Sequence, residues 1–163
     1  MVMREGEQKM KLKDRLKIAI ENEAKRFNRA RQKMAISSGI NPYPERTISY
    51  YYIRALARSL KSSHVVLEAP IAGGKSGRRD NHVDAVIFND DTVILAEFKR
   101  AYSLKHWQWI DEDLARLDRL AKKDILSRFQ DEAAAKRNVY FFIGSDCWFN
   151  HIATAWMKNI NHK

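Results

Sequence analysis

The sequence predicts an α/β fold in which helices flank a mixed β-sheet. Its hydrophobic residues recur first at helical spacing, then in short β-rich runs, and then at helical spacing again. Hydrophobic residues make up 45% of the 163 residues, which is enough for one domain with a sizeable core. The predicted order of elements is helix, helix, three strands, helix, strand and helix.

The first predicted helix, from about residue 9 to residue 34, is strongly basic. Between Arg4 and Lys33 there are eleven Lys or Arg and five Asp or Glu, so this segment carries six of the ten net positive charges. A stiff Pro-containing connection follows it. We therefore assign residues 1–40 to a basic N-terminal helix and residues 41–163 to the main domain. The helix would either bind nucleic acid or pair with another subunit.

The later elements are bounded by turn-forming residues and by changes of period. The third long helix should place Ile110, Leu114 and Leu117 on its buried face, with a break allowed along its length. Asn89-Asp90-Asp91 is typical of a hairpin turn. The expected ranges are helix 45–60, strands 64–69, 82–88 and 92–99, helix 106–136, strand 139–143 and helix 151–159.

Charge and cysteine content indicate the partner and the compartment. The formal net charge is +10, and such a field favours a polyanionic partner, with nucleic acid the first candidate. The single cysteine cannot form an internal disulfide, which suits a reducing cytoplasm. No apolar run approaches the ~20 residues that would span a bilayer, so a soluble cytoplasmic protein without a membrane partner is expected.

The predicted hairpin brings two carboxylates together. If Asn89 pairs with Thr92, the same register places Asp84 directly opposite Glu97. Side chains at such positions lie about 5 Å apart, and like charges there destabilise a sheet. Both faces of the two strands are otherwise apolar, which is typical of strands buried on both sides.

A divalent cation would relieve the repulsion between these carboxylates. Mg²⁺ commonly takes one or two protein carboxylates together with water and phosphate oxygens. Lys99 lies two residues beyond Glu97 and shares its face, so its ammonium could orient a water molecule or stabilise phosphate charge. The alternative is a structural ion pair of Lys99 with Glu97 or with Asp84.

Val83-Asp84-Ala85-Val86-Ile87 followed by Ile94-Leu95-Ala96-Glu97-Phe98-Lys99 resembles the paired motif of the PD-(D/E)XK nuclease superfamily. The resemblance implies a restriction-endonuclease-like core: a helix, a three-strand meander, a helix and a further strand. It also implies that Asp84, Glu97 and the Phe98 carbonyl bind Mg²⁺ or Mn²⁺ while Lys99 serves the attacking water. Val83 stands where the proline of the motif name would be.

Further residues are candidates for accessory roles. Glu68, in the preceding strand, could reach the same site as an additional catalytic carboxylate. The glycine-rich loop after it matches a relaxed NTPase phosphate loop, but no helix follows it as such a loop requires. That loop is either a solvated hairpin tip or a basic finger on nucleic acid, and the predicted nucleic-acid-binding residues are Lys75, Arg78, Arg79 and Arg100.

These observations together predict a metal-dependent nuclease, with DNA the expected substrate. The alternative from another class is a nucleic-acid-binding protein that keeps the fold without cleaving. A homodimer would serve double-strand cleavage, although no residue requires one.

Overall fold

The computed structural model describes residues 10–33, 45–61, 63–71, 82–101, 104–120 and 122–147. The predicted last helix and the predicted boundary between residues 40 and 41 lie outside these ranges. The elements are α1 (Leu12–Lys33), α2 (Glu45–Leu60), β1 (His64–Pro70), β2 (His82–Phe88), β3 (Thr92–Ala101), α3 (Leu104–Asp118), α4 (Lys122–Leu126), a 3₁₀ turn (Ala134–Lys136) and β4 (Asn138–Cys147).

The four strands form one mixed sheet in the order β1-β2-β3-β4. The first two neighbouring pairs are antiparallel, and β3 and β4 are parallel. A parallel pair needs a long crossover, which α3 and α4 supply here. The predicted α/β class, mixed sheet and order of elements are confirmed over the described residues.

The β2–β3 hairpin has the register that the sequence predicts. Its paired residues run from Phe88 with Val93 to Ala85 with Ala96. The Asn89 side chain closes the turn, because its Oδ1 accepts the amides of Asp91 at 3.1 Å and Thr92 at 2.9 Å. This local chemistry fixes the register as far as Ala85 and Ala96, and the predicted direct pairing of Asp84 with Glu97 is not among the described pairs.

Helices cover both faces of the sheet. On one face α2 packs Leu56 and Leu60 against strand residues such as Ile94 and Phe98. On the other face Leu117 of α3 and the two buried residues of α4 pack against Val86 and Leu95. Burial on both faces explains the continuous apolar run of β3. Within the described ranges no helix is long and apolar enough to cross a membrane.

The third long helix departs from the prediction in one respect. It is divided into α3 and α4, at a break that the sequence analysis allowed for. Ile110 and Leu117 are buried as expected, but Leu114 is 45% exposed, so its predicted burial is wrong. Asp113, which lies between Ile110 and Leu117 on the helix surface, faces the sheet with them and is only 16% exposed at its side chain.

Gly144 of β4 provides a test of core packing. It pairs with Phe98, and a Cβ atom at this position would lie 2.8 Å from Phe98 Cδ1. The Phe98 ring is 2% exposed and stacks on Tyr52, so it has little room to move. We expect Gly144→Ala to lower the free energy of unfolding by about 1–3 kcal/mol in urea denaturation. Ala135→Ser, at an exposed position, should change it by less than about 0.5 kcal/mol; equal stability of both variants would contradict this packing.

Candidate active site

The regular alternation of side chains is interrupted at Asp84. Val83 and Val86 pack in the same hydrophobic cluster, although residues three apart in a regular strand face opposite sides of the sheet. The neighbouring strand is irregular at the same level, because Glu68, opposite Asp84, has a positive φ of 50°. The Asp84 carboxylate reaches β3, where its Oδ2 accepts the Phe98 amide at 2.6 Å.

Glu97 is a buried carboxylate beside a second carboxylate. Its residue is 3% exposed, in the β3 segment that follows the paired region of the hairpin. The pKa of Glu97 is raised from 4.5 to about 7, chiefly by burial and then by the negative charge of Asp84, while Arg116 opposes both. The charge of Asp84 therefore acts on Glu97, whereas their direct pairing in the hairpin stays a prediction.

Lys99 completes the predicted group of three. Its Nζ lies 3.9 Å from Glu97 Oε2 and 3.1 Å from Asp113 Oδ2. Burial alone would lower the pKa of Lys99, but the charge and hydrogen bond of Asp113, followed by the charges of Glu97 and Asp84, raise it above its ordinary value. The ammonium therefore stays protonated at neutral pH, which favours charge stabilisation over a role as a neutral base.

Helix α3 adds two residues that the sequence analysis missed. The guanidinium of Arg116 hydrogen-bonds Glu97 Oε1, lies 3.0 Å from Asp113 Oδ1 and donates to the His82 carbonyl at 3.0 Å. Asp113 thus bridges Lys99 and Arg116. The sequence pattern that could have identified Asp113 is its spacing from Ile110 and Leu117, three and four residues away. This spacing places the carboxylate on the sheet-facing side of the helix.

The remaining predicted site residues are not brought into this cluster by the described structure. Glu68 is exposed, although it lies opposite Asp84. The backbone of Phe98 does lie at the cluster, where its amide donates to Asp84, and the role of its carbonyl stays a prediction. Arg100 lies in β3, but its side chain is not among those described. Lys75, Arg78 and Arg79 fall in the segment 72–81, outside the described residues.

The charges of this cluster leave room for a cation. With every group ionised, the carboxylates of Asp84, Glu97 and Asp113 outnumber the cations of Lys99 and Arg116 by one. Among the described residues no group of three or more His, Cys, Asp or Glu is arranged to hold a metal ion. The Asp84–Glu97 pair nevertheless matches the two-carboxylate set that Mg²⁺ takes when water and phosphate fill its other positions.

The same geometry includes the structural ion pair that the sequence left open. Glu97 has Lys99 and Arg116 beside it, so its charge is compensated without a metal. Such a network costs desolvation energy and is weak evidence for stability. Burial and the charge of Asp84 keep the pKa of Glu97 raised beside these cations, and shifted pKa values of this kind are common at functional sites.

The electrostatic origin of the raised pKa can be tested directly. Asp84→Asn removes the second-largest cause, so we expect the pKa of Glu97 to fall from about 7 toward its ordinary 4.5. Carbon-detected NMR titration of the Glu carboxyl groups would measure it. Asp113→Asn should lower this pKa less, because its charge contributes less, and Glu112→Gln on the exposed face of α3 should leave it unchanged. An unchanged value in Asp84→Asn would mean that the two carboxylates do not interact.

Comparison with protein-family models, with curated proteins and with solved structures gave no significant match to this chain. Membership of the PD-(D/E)XK superfamily and a restriction-endonuclease-like core therefore stay predictions.

Proposed function

We propose that this protein is a metal-dependent nuclease that hydrolyses phosphodiester bonds, with DNA as the substrate. The observation that carries the proposal is the buried Glu97 carboxylate with its pKa raised to about 7 beside Asp84, and with the Lys99 ammonium 3.9 Å away. A buried carboxylate beside a second negative charge is costly, and a divalent cation at that point would offset the cost.

Asp84 and Glu97 would hold Mg²⁺, or Mn²⁺ in its place. When bound, such an ion supplies Lewis-acid stabilisation of phosphate charge and a water of lowered pKa. The hydrogen bond from the Phe98 amide fixes Asp84 in position, and Arg116 does the same for Glu97. Prepositioned ligands of this kind lower the cost of ordering the site when the substrate arrives.

Lys99 would act on the phosphate and on the attacking water. Its ammonium is partly exposed and stays protonated, so it can donate hydrogen bonds to a non-bridging phosphate oxygen and orient a water molecule. Asp113 holds the ammonium at 3.1 Å and so acts as a positioning residue. The overall positive charge of the chain, +10, would draw the polyanionic substrate toward the protein.

The second candidate is a nucleic-acid-binding protein that does not cleave. It is favoured by one observation, the pairing of Glu97 with Arg116 and Lys99, which compensates the carboxylate without any metal. This candidate predicts salt-sensitive binding that survives loss of Glu97, with no cleavage product.

A panel of substrates separates the two candidates. Supercoiled plasmid, single-stranded DNA, branched DNA and RNA are incubated with the full chain in Mg²⁺, Mn²⁺ or EDTA, with Glu97→Gln and Glu112→Gln as a matched pair. The nuclease predicts metal-dependent product from at least one substrate, lost in Glu97→Gln and kept in Glu112→Gln. Binding without product on every substrate would favour the second candidate and end the first.

A further inference from the structure

The buried carboxylate of Glu23, between α1 and α2, forms ion pairs with three guanidinium groups. Glu23 of α1 is 2% exposed. Arg58 of α2 hydrogen-bonds its Oε1, the Nε of Arg54 lies 3.6 Å from its Oε2, and the Nε of Arg26 lies 3.7 Å from its Oε1. We call Arg26, Arg54 and Arg58 the arginine triad.

The positive charge of the arginine triad exceeds the negative charge of Glu23. Three guanidinium groups against one carboxylate leave a local charge of +2. The three side chains are 31–50% exposed, while the carboxylate between them is almost completely buried. Since one well-placed arginine would neutralise Glu23, docking of α1 on α2 does not account for all three.

Glu23 hydrogen-bonds Arg58 and attracts Arg54 and Arg26 as ion pairs at 3.6 and 3.7 Å, which restricts long side chains that would otherwise sample many rotamers. Fixing an arginine costs side-chain entropy, and a group already ordered by Glu23 loses less when it binds a ligand. Each guanidinium has five N–H donors in a planar fork, so contact with Glu23 leaves further donors directed elsewhere. That fork matches phosphate oxygens in a bidentate manner, which an ammonium cannot do.

The surroundings of the triad indicate a nucleic-acid backbone as the anion. Tyr50 is 53% exposed and lies under Arg54, whose guanidinium carbon is 5.3 Å from the ring centroid. An exposed ring beside phosphate-binding arginines is a platform on which an unpaired base or a sugar can stack. Helix α1 itself contains eight Lys or Arg and three Asp or Glu, so its charge extends the positive surface along the helix.

We propose that the arginine triad, preorganised by buried Glu23 and flanked by Tyr50, is a binding site for the phosphate backbone of nucleic acid, separate from the carboxylate cluster of the β2–β3 hairpin. This inference rests on the proposed function, because a nuclease must hold the backbone on either side of the bond that it cleaves. It assigns to the α1–α2 face a positioning role that carries no sequence information.

The test measures binding alone. Fluorescence anisotropy of a labelled 20-base-pair duplex is followed in EDTA over a range of KCl concentrations, with the full chain and two double variants. Arg54→Gln/Arg58→Gln removes two members of the triad. Arg119→Gln/Arg128→Gln removes two exposed arginines outside it and is matched in charge. We expect the first to raise the dissociation constant about tenfold and to lower the salt slope by roughly 2, at about 0.9 per lost phosphate contact. The second should change neither by more than about twofold.

Equal losses in the two double variants would overturn the proposal, since they would show a diffuse charge effect. If the Gln double variant does not fold, as judged by its melting curve, Arg54→Lys/Arg58→Lys takes its place. This variant keeps both charges but loses both planar guanidinium groups. We expect its dissociation constant to rise about threefold or more, with a nearly unchanged salt slope. An unchanged dissociation constant would overturn the proposal. If binding depends on the triad but no cleavage occurs in Mg²⁺, the nuclease is refuted and the binding site is retained. If cleavage occurs but binding does not depend on the triad, the binding site is refuted and the nuclease is retained.

Discussion

Replacement of Glu97 by Gln is expected to reduce phosphodiester cleavage by about three orders of magnitude or more while the fold remains intact. Loss of one preorganised electrostatic contact at a reacting centre typically costs about 10²–10³ in rate, and loss of a metal-binding carboxylate also removes the ion. The amide keeps the size of the side chain and can still hydrogen-bond Arg116, so the packing of β3 is preserved.

The stability of this variant separates a functional role from a structural one. Glu97 has a folded pKa of about 7 against an ordinary 4.5, so stability is lost as pH rises through that interval, and the full cost is present above it. We therefore expect Glu97→Gln to melt at or above the wild-type temperature at pH 8. Rates are measured on the best substrate of the panel, with Glu112→Gln as control. Cleavage within tenfold of wild type would show that Glu97 has no part in the reaction.

Replacement of Arg116 by Met is expected to destabilise the fold above neutral pH. Arg116 is one of the two cations beside Glu97 and lowers its pKa. Removal of one partner from a buried pair leaves an uncompensated charge and costs about 3–5 kcal/mol. Because the Arg116 side chain is 23% exposed, water screens part of the interaction, and we expect about 2–3 kcal/mol at pH 8.5.

The pH dependence of this loss identifies its cause. In the variant the pKa of Glu97 should rise above 7, because the arginine no longer opposes burial and the charge of Asp84. Below about pH 6 the folded protein holds Glu97 protonated with or without Arg116, so only the lost contacts of Arg116 with Asp113 and with the His82 carbonyl contribute there. The penalty should appear as pH rises through 7 and beyond.

Urea denaturation at pH 5.5 and pH 8.5 measures both the pH-independent loss of stability and the additional loss above neutral pH. Mg²⁺ should restore stability to Arg116→Met at pH 8.5, because an ion that binds only the folded state stabilises it by about 2.7 kcal/mol at a hundredfold excess over its dissociation constant. Arg119→Met, at an exposed position of the same helix, should change stability by less than about 0.5 kcal/mol. Equal losses for Arg116→Met at the two pH values would assign the effect to packing and contradict the electrostatic account.

The sequence was sufficient to predict the elements that depend on local pattern. Short β-rich runs bounded by turn residues predicted the strands, and the Asn89 turn fixed the pairing of Ala85 with Ala96. Because a single register follows from the turn, the approach of Asp84 to Glu97 could be predicted without coordinates. These are short-range consequences of chain geometry.

Features that depend on contacts between distant elements could not be predicted. The residues of α3 that meet Glu97 depend on how the helix is rotated against the sheet, and a rotation of about one position exposes Leu114 and buries Asp113. Arg116 is a long, amphipathic side chain, and periodicity alone does not show where its guanidinium ends. The break of alternation at Asp84 also depends on the partner strand, where Glu68 has a positive φ.

Binding of Mn²⁺ is the most direct test of a cation shared by Asp84 and Glu97. Electron paramagnetic resonance of free Mn²⁺ is followed as wild type, Asp84→Asn, Glu97→Gln and Glu112→Gln are titrated in, each with a duplex present. The proposed site predicts one Mn²⁺ bound per chain in wild type and Glu112→Gln, and at least about tenfold weaker binding in the other two variants. Equal binding by all four proteins, or none by the wild type, would contradict it.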